Sequence, residues 1–154
     1  MWFENNNAEE AMKFYTSVFK NSKIVSVQYY PTGIKEGPMA GFDGKVLTGV
    51  FELDGQRFMC LDGGPVFKPS GAISFLVECA NQEEIDHYWN SLSAVPEAEQ
   101  CGWLKDKYGF TWQIAPDMTR WMNDTNKAGS DRAMQAMLGM KKIIIADLEK
   151  AYNG

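Results

Sequence analysis

Two glycine-led hexapeptides carry the residues best placed to do chemistry. Gly55-Gln56-Arg57-Phe58-Met59-Cys60 is echoed by Gly109-Phe110-Thr111-Trp112-Gln113-Ile114, so Met59 and Gln113 occupy equivalent positions. Side chains alternate along a strand, which sets Arg57 and Met59 against Phe58 and Cys60, and Thr111 and Gln113 against Trp112 and Ile114. The apolar sets are expected to face helices. Arg57, Met59, Thr111 and Gln113 then form a candidate ligand wall, joined by Ala72 and Ser74 from a strand predicted at Ala72–Cys79. One cation among neutral polar groups suits a small, partly polar or anionic organic molecule. Trp103 is a further candidate, as an indole that could stack on a ligand.

Other chemistry-bearing residues have plainer readings. Cys60, Cys79 and Cys101 are odd in number and widely spaced, fitting neither a disulfide framework nor a Cys-x-x-Cys metal site. Cys101 precedes a strand, as a nucleophile could, but no local base or cation would activate it. His87, the single histidine, lies between Asp86 and Tyr88 on the polar side of a predicted helix and reads as an exposed helix residue. Asp62-Gly63-Gly64-Pro65 has no following helix N-terminus and no Lys-Ser/Thr pair, so a turn is preferred over a phosphate loop. The nine methionines read as core or dimer packing rather than as an adaptable binding face.

Composition narrows the function classes. The chain has 154 residues, 45% hydrophobic and 13% aromatic, enough apolar matter for one folded domain. Its net charge is -5, and its basic residues form no cluster beyond Lys141-Lys142, which argues against nucleic acid as a partner. No apolar run approaches the ~20 residues that span a bilayer, and Met-Trp-Phe-Glu-Asn is no signal peptide, so a cytoplasmic location is expected.

The elements that must position the candidates recur in the same order. Asn7 with Glu10 predicts a capping box for a helix carrying Ala8, Ala11, Met12, Phe14, Tyr15, Val18 and Phe19 at three- and four-residue spacing. Asn81 with Glu84 predicts the same for a helix carrying Ile85, Tyr88, Trp89 and Leu92. Ile24 to Tyr30 reads as a strand, followed by a loop with Gly33, Gly37, Pro38, Gly41 and Gly44. Asp54-Gly55 predicts a two-residue hairpin between Val46–Leu53 and Arg57–Leu61. After residues 67–71 as a linker, the second copy runs through Ala72–Cys79, a Pro-containing loop, a strand at Gly102–Leu104, a turn, and a strand at Phe110–Ala115. Ser130 to Tyr152 predicts one long helix, mildly interrupted at Gly139.

This order, with Cys101-Gly102-Trp103-Leu104-Lys105-Asp106-Lys107-Tyr108-Gly109-Phe110-Thr111-Trp112-Gln113-Ile114-Ala115-Pro116, Ala8 to Tyr15, Leu61 to Pro65 and Met137 to Lys142, resembles one family along essentially the whole chain. It is similar to the PhnB-like, 3-demethylubiquinone-9 3-methyltransferase-like branch of the vicinal oxygen chelate (glyoxalase, bleomycin resistance, dioxygenase) superfamily. The resemblance implies an α+β fold of paired βαβββ modules, at residues 1–66 and 70–117, plus a C-terminal helix at 128–153, all in one domain. It also implies a ligand cavity enclosed by the strands and a homodimer. In metal-dependent relatives, the first and last strands of each module supply His or Glu to a divalent cation. The matching positions here are Met59, Gln113 and Ala72, with the fourth falling before Met1, so the resemblance implies a chain that starts late and a cavity with no metal and no cofactor. A methyltransferase would need an S-adenosylmethionine site on a doubly wound sheet with a Gly-rich first loop, and neither is present. The leading expectation is a protein that binds a small organic molecule. The alternatives are an enzyme (lyase, isomerase, dioxygenase, or the methyltransferase of the family name) and a purely structural dimer.

Overall fold

The predicted Asp54-Gly55 turn joins β3 (Val46–Leu53) to β4 (Gln56–Asp62), with φ positive at both residues (46° and 81°) as a type I′ hairpin requires. This is a computed structural model that describes residues 1–37, 40–122 and 124–154; Pro38 of the glycine-containing loop lies outside them. The chain divides into two units, Met1–Pro69 and Ser70–Gly154.

In the first unit, β1 (Trp2–Phe3) pairs in parallel with β4, and β2 (Lys23–Tyr29) closes an antiparallel edge, giving the sheet order β1-β4-β3-β2. Helix α1 (Ala8–Val18) covers one face by burying Ala8, Ala11, Met12, Tyr15 and Val18. Tyr15 stacks on Phe51, and Met12 fills the space above Gly49, where a Cβ would lie 2.3 Å from the Met12 sulfur. Each large side chain buried this way contributes about 1.5–3 kcal/mol. The predicted capping box of α1 is not formed. Asn7 makes no side-chain cap; Asp62 Oδ2 accepts the Ala8 N–H at 3.1 Å instead, from the far end of β4. A buried carboxylate that meets the helix N-terminus satisfies its orphan donor and opposes its dipole. Burial pushes the Asp62 pKa up, partly offset by the backbone N–H groups it accepts.

The second unit follows the same plan with three strands. β5 (Ser74–Cys79) is parallel to β7 (Thr111–Pro116), and β6 (Trp103–Lys105) is antiparallel to it. Where the first unit has β2, the chain here turns through a short 3-10 helix at Pro96–Ala98. Helix α2 (Gln82–Leu92) has the predicted Asn81 cap, which accepts the Glu84 N–H at 3.0 Å, while the Glu84 carboxylate reaches back to the Ala80 N–H at 3.0 Å, one residue before the capping-box donor. Its Ile85, Tyr88, Trp89 and Leu92 are buried, as are Leu104, Trp112 and Ile114 of the sheet.

The C-terminal segment departs from the expected single helix. It forms α3 (Lys127–Leu138) and α4 (Ile145–Asn153), with Gly139 as the C-cap of the first. The carbonyls of Met140 and Lys141 are turned away to accept the N–H groups of Cys101 and Gly102, at 2.8 and 2.7 Å. A continuing helix would have needed those acceptors for itself.

Candidate functional site

The sheet of the second unit has a covered face and an open one. Phe75, Trp112, Val77, Ile114 and Leu104 alternate toward the covered side, so the register places Ser74, Leu76, Thr111, Gln113, Trp103 and Lys105 on the other. They lie in two rows across the three strands. Ser74, Thr111 and Lys105 stand side by side, and Leu76, Gln113 and Trp103 form the next row.

The polar groups of this face are partly matched. Gln113 Nε2 donates to Ser74 Oγ at 2.7 Å. Thr111 is only 8% exposed, yet its Oγ1 has no hydrogen-bond partner. A buried hydroxyl without a partner costs about 1–3 kcal/mol. Beside it, Leu76 is 62% exposed and Trp103 37%. Behind it, Asp106 accepts the indole N–H of buried Trp112 at 2.7 Å and fixes the strand from its covered side.

The sequence-predicted residues thus separate into groups. Ser74, Trp103, Thr111 and Gln113 share this face. Ala72 does not stand in the strand as expected: β5 begins at Ser74, because Ser70 turns the chain by accepting the Ala72 N–H at its hydroxyl and the Ile73 N–H at its carbonyl. Arg57 and Met59 lie on the open face of the first unit's sheet. There Arg57 donates to Glu52 at 3.1 Å, and Lys23 pairs with the same carboxylate at 3.3 Å. The Arg57 hydrogen bond, with that of Lys23, draws the Glu52 pKa down, and an arginine so engaged is a weak receptor for a further anion. Met59 is 63% exposed, and its carbonyl accepts the Met1 ammonium at 2.6 Å.

Sequence reasoning missed Leu76 and Lys105. The first was available from the alternation that gave Ser74. The second was hidden because β6 was read to end at Leu104, one residue short. Three plainer readings agree with the structure: His87 is exposed on α2, the cysteines are free, with Cys60 and Cys79 buried, and the chain turns after Asp62 without starting a helix. A separate recess of about 320 Å³ lies at the C-terminal ends of β5 and β7, and none of the predicted site residues lines it.

The residues that the resemblance matches to metal-bearing positions do not fit a divalent cation. A thioether at Met59, a methyl at Ala72 and an amide tied to Ser74 at Gln113 replace the imidazole and carboxylate donors such an ion takes. Among the described residues, no three His, Cys, Asp or Glu are grouped to hold a metal ion.

A family model described as 3-demethylubiquinone-9 3-methyltransferase matches residues 1–115. The chain belongs to this family. A solved structure of a PhnB protein from Bacillus cereus is 39% identical, covering 75% of this chain and 95% of its own, with a TM-score of 0.60. A Staphylococcus aureus protein is 30% identical over 75% of this chain and 91% of its own, with a TM-score of 0.32. A Pseudomonas aeruginosa protein, 17% identical over 75% of this chain and 93% of its own, shares the fold with a TM-score of 0.55. No curated protein matches. The PhnB-like family lies in the vicinal oxygen chelate superfamily, and the α+β architecture with two small sheets and C-terminal helices is glyoxalase-like. No helix of the described residues is long and apolar enough to cross a membrane.

Proposed function

We propose that this PhnB-like protein binds a small organic molecule through direct side-chain contacts, without a metal bridge. The observation that carries this reading is the open face of the second unit. Its hydrogen-bonded Ser74–Gln113 pair and unpartnered Thr111 hydroxyl stand beside exposed Leu76 and Trp103. Apolar contact area with a few convergent polar groups is the usual make-up of a small-molecule site. The Met59 and Gln113 side chains favour direct contact over chelation, because neither offers a donor suited to a hard divalent ion. Among the described residues there is no doubly wound sheet of the kind that carries a nucleotide loop, so the methyltransferase of the family name draws no support from them. The same reading takes the protein as a cytoplasmic homodimer.

The test is a thermal-shift screen of the full chain against a metabolite panel, run with and without a chelator. Binding raises stability by mass action, so a ligand at a hundred times its Kd adds about 2.7 kcal/mol. The reading expects at least one organic compound to raise the melting temperature equally in both conditions. Shifts that appear only with an added divalent ion would overturn it.

A further inference from the structure

The two rows on the open face of the second unit differ in chemistry, and the difference orients a ligand. The first row offers hydrogen-bond donors and a cation. Ser74 Oγ accepts from Gln113, which leaves the Ser74 hydroxyl hydrogen to donate outward. The Thr111 hydroxyl beside it has no partner, and Lys105 stands next in register with no carboxylate paired to it among the described residues. The second row, two residues further along the strands and so about 6.7 Å away, is Leu76, Gln113 and Trp103. It is apolar at both ends. At its centre, Gln113 keeps Oε1 as an acceptor, which repels a second anion. The next position along β5 is the exposed Glu78, opposite Ala115, so negative charge is disfavoured at that end too.

We propose that this face takes a monocarboxylate with an aromatic or branched apolar body. The carboxylate lies over Ser74, Thr111 and Lys105, and the body over Leu76 and Trp103. The inference rests on the direct-binding reading above and adds the ligand's class and direction. A single lysine and two hydroxyls match one negative charge with several acceptor lone pairs. They supply too few cations to hold a phosphate dianion. The row spacing sets the distance between charge and body, so an acid whose apolar group is separated from the carboxylate by a short linker fits better than a compact one.

The probes are 3-phenylpropionate, its primary amide and 3-phenylpropylamine, each titrated into the full chain by calorimetry and by backbone amide NMR. The expected result is that the carboxylate perturbs the Ser74, Thr111 and Trp103 amides and binds about fivefold tighter than the amide, the upper range for a partly exposed ion pair. Lys105→Gln should remove that preference, and the dispersed amide spectrum of the ligand-free variant reports that it is folded. Lys105→Arg should restore it. If the amide or the amine binds as tightly as the acid, or Lys105→Gln changes nothing, the ligand class is wrong while direct binding stands. If none of the three probes perturbs this face, the inference falls, and the metabolite screen separately decides whether the protein binds organic ligands at all.

Discussion

Replacing Asp106 by Asn should destabilise the second unit by about 3 kcal/mol through a single buried donor, a figure worked from the bonds the carboxylate makes. Its Oδ1 accepts the N–H groups of Tyr108 at 2.9 Å and Phe110 at 3.0 Å, while Oδ2 accepts Trp112 Nε1 at 2.7 Å. Asp106 and Trp112 are each 1% exposed. An asparagine has one acceptor oxygen, so holding the two turn N–H groups directs its amide N–H against the indole N–H. The indole donor is then buried unmatched, at about 1–3 kcal/mol, and the other two bonds lose their charge assistance. Asp106→Ala removes both acceptor oxygens and with them these three bonds, but the two backbone donors are only part-buried and can take water, so about 4–5 kcal/mol is expected rather than triple the single cost. Urea unfolding followed by circular dichroism reads the change as a lower midpoint at constant slope. The discriminating version is a double-mutant cycle with Trp112→Phe, which deletes the donor. In that background the cost of Asp106→Asn should shrink by about 2 kcal/mol. A coupling indistinguishable from zero, within about 0.5 kcal/mol, would refute the reasoning by showing that Asp106 only holds the turn.

Three further outcomes are expected. Gly102 has φ +84°, and a Cβ there would lie 2.9 Å from the Ile114 carbonyl oxygen, so Gly102→Ala should cost about 2–3 kcal/mol in the same unfolding assay; a neutral substitution would contradict the geometry. Asp62 has a folded pKa raised by burial, so the folded state holds its proton more tightly than the unfolded chain, and its contribution to stability falls as pH rises above the ordinary value of 3.8. The stability of Asp62→Asn minus that of the parent should therefore grow between pH 4 and 6 in urea titrations, and a flat difference would count against a desolvated carboxylate. Burial pushes the Cys60 thiol up to about 11, so iodoacetamide at pH 8 should modify the half-exposed Cys101 first and reach Cys60 and Cys79 only in denaturant, as peptide mass mapping would show.

Features that depend on neighbouring residues were legible in the sequence, and those set by distant partners were not. The Asp54-Gly55 turn and the Asn81 cap are each closed by groups within three residues, and both formed as read. The cap of α1 was misread because its acceptor, Asp62, arrives from 54 residues away and displaces the local Asn7. The C-terminal helix was read as continuous because Gly139 costs a helix only about 1 kcal/mol by itself. What breaks it is the demand of Cys101 and Gly102 for the carbonyls of Met140 and Lys141. Alternation was enough to place Ser74, Thr111 and Gln113 on one side. Strand register, which sequence does not carry, was needed to set Lys105 beside Thr111 and Trp103 beside Gln113.

The central claim is that the duplicated scaffold binds its ligand without chelation. Native mass spectrometry of freshly purified, full-length protein, recorded before and after exhaustive chelator treatment, tests it most directly. The account predicts a co-purifying organic molecule, released on denaturation, whose occupancy is the same in both spectra, with no stoichiometric metal. A divalent ion bound one per chain, or an organic ligand lost with the chelated metal, would contradict it.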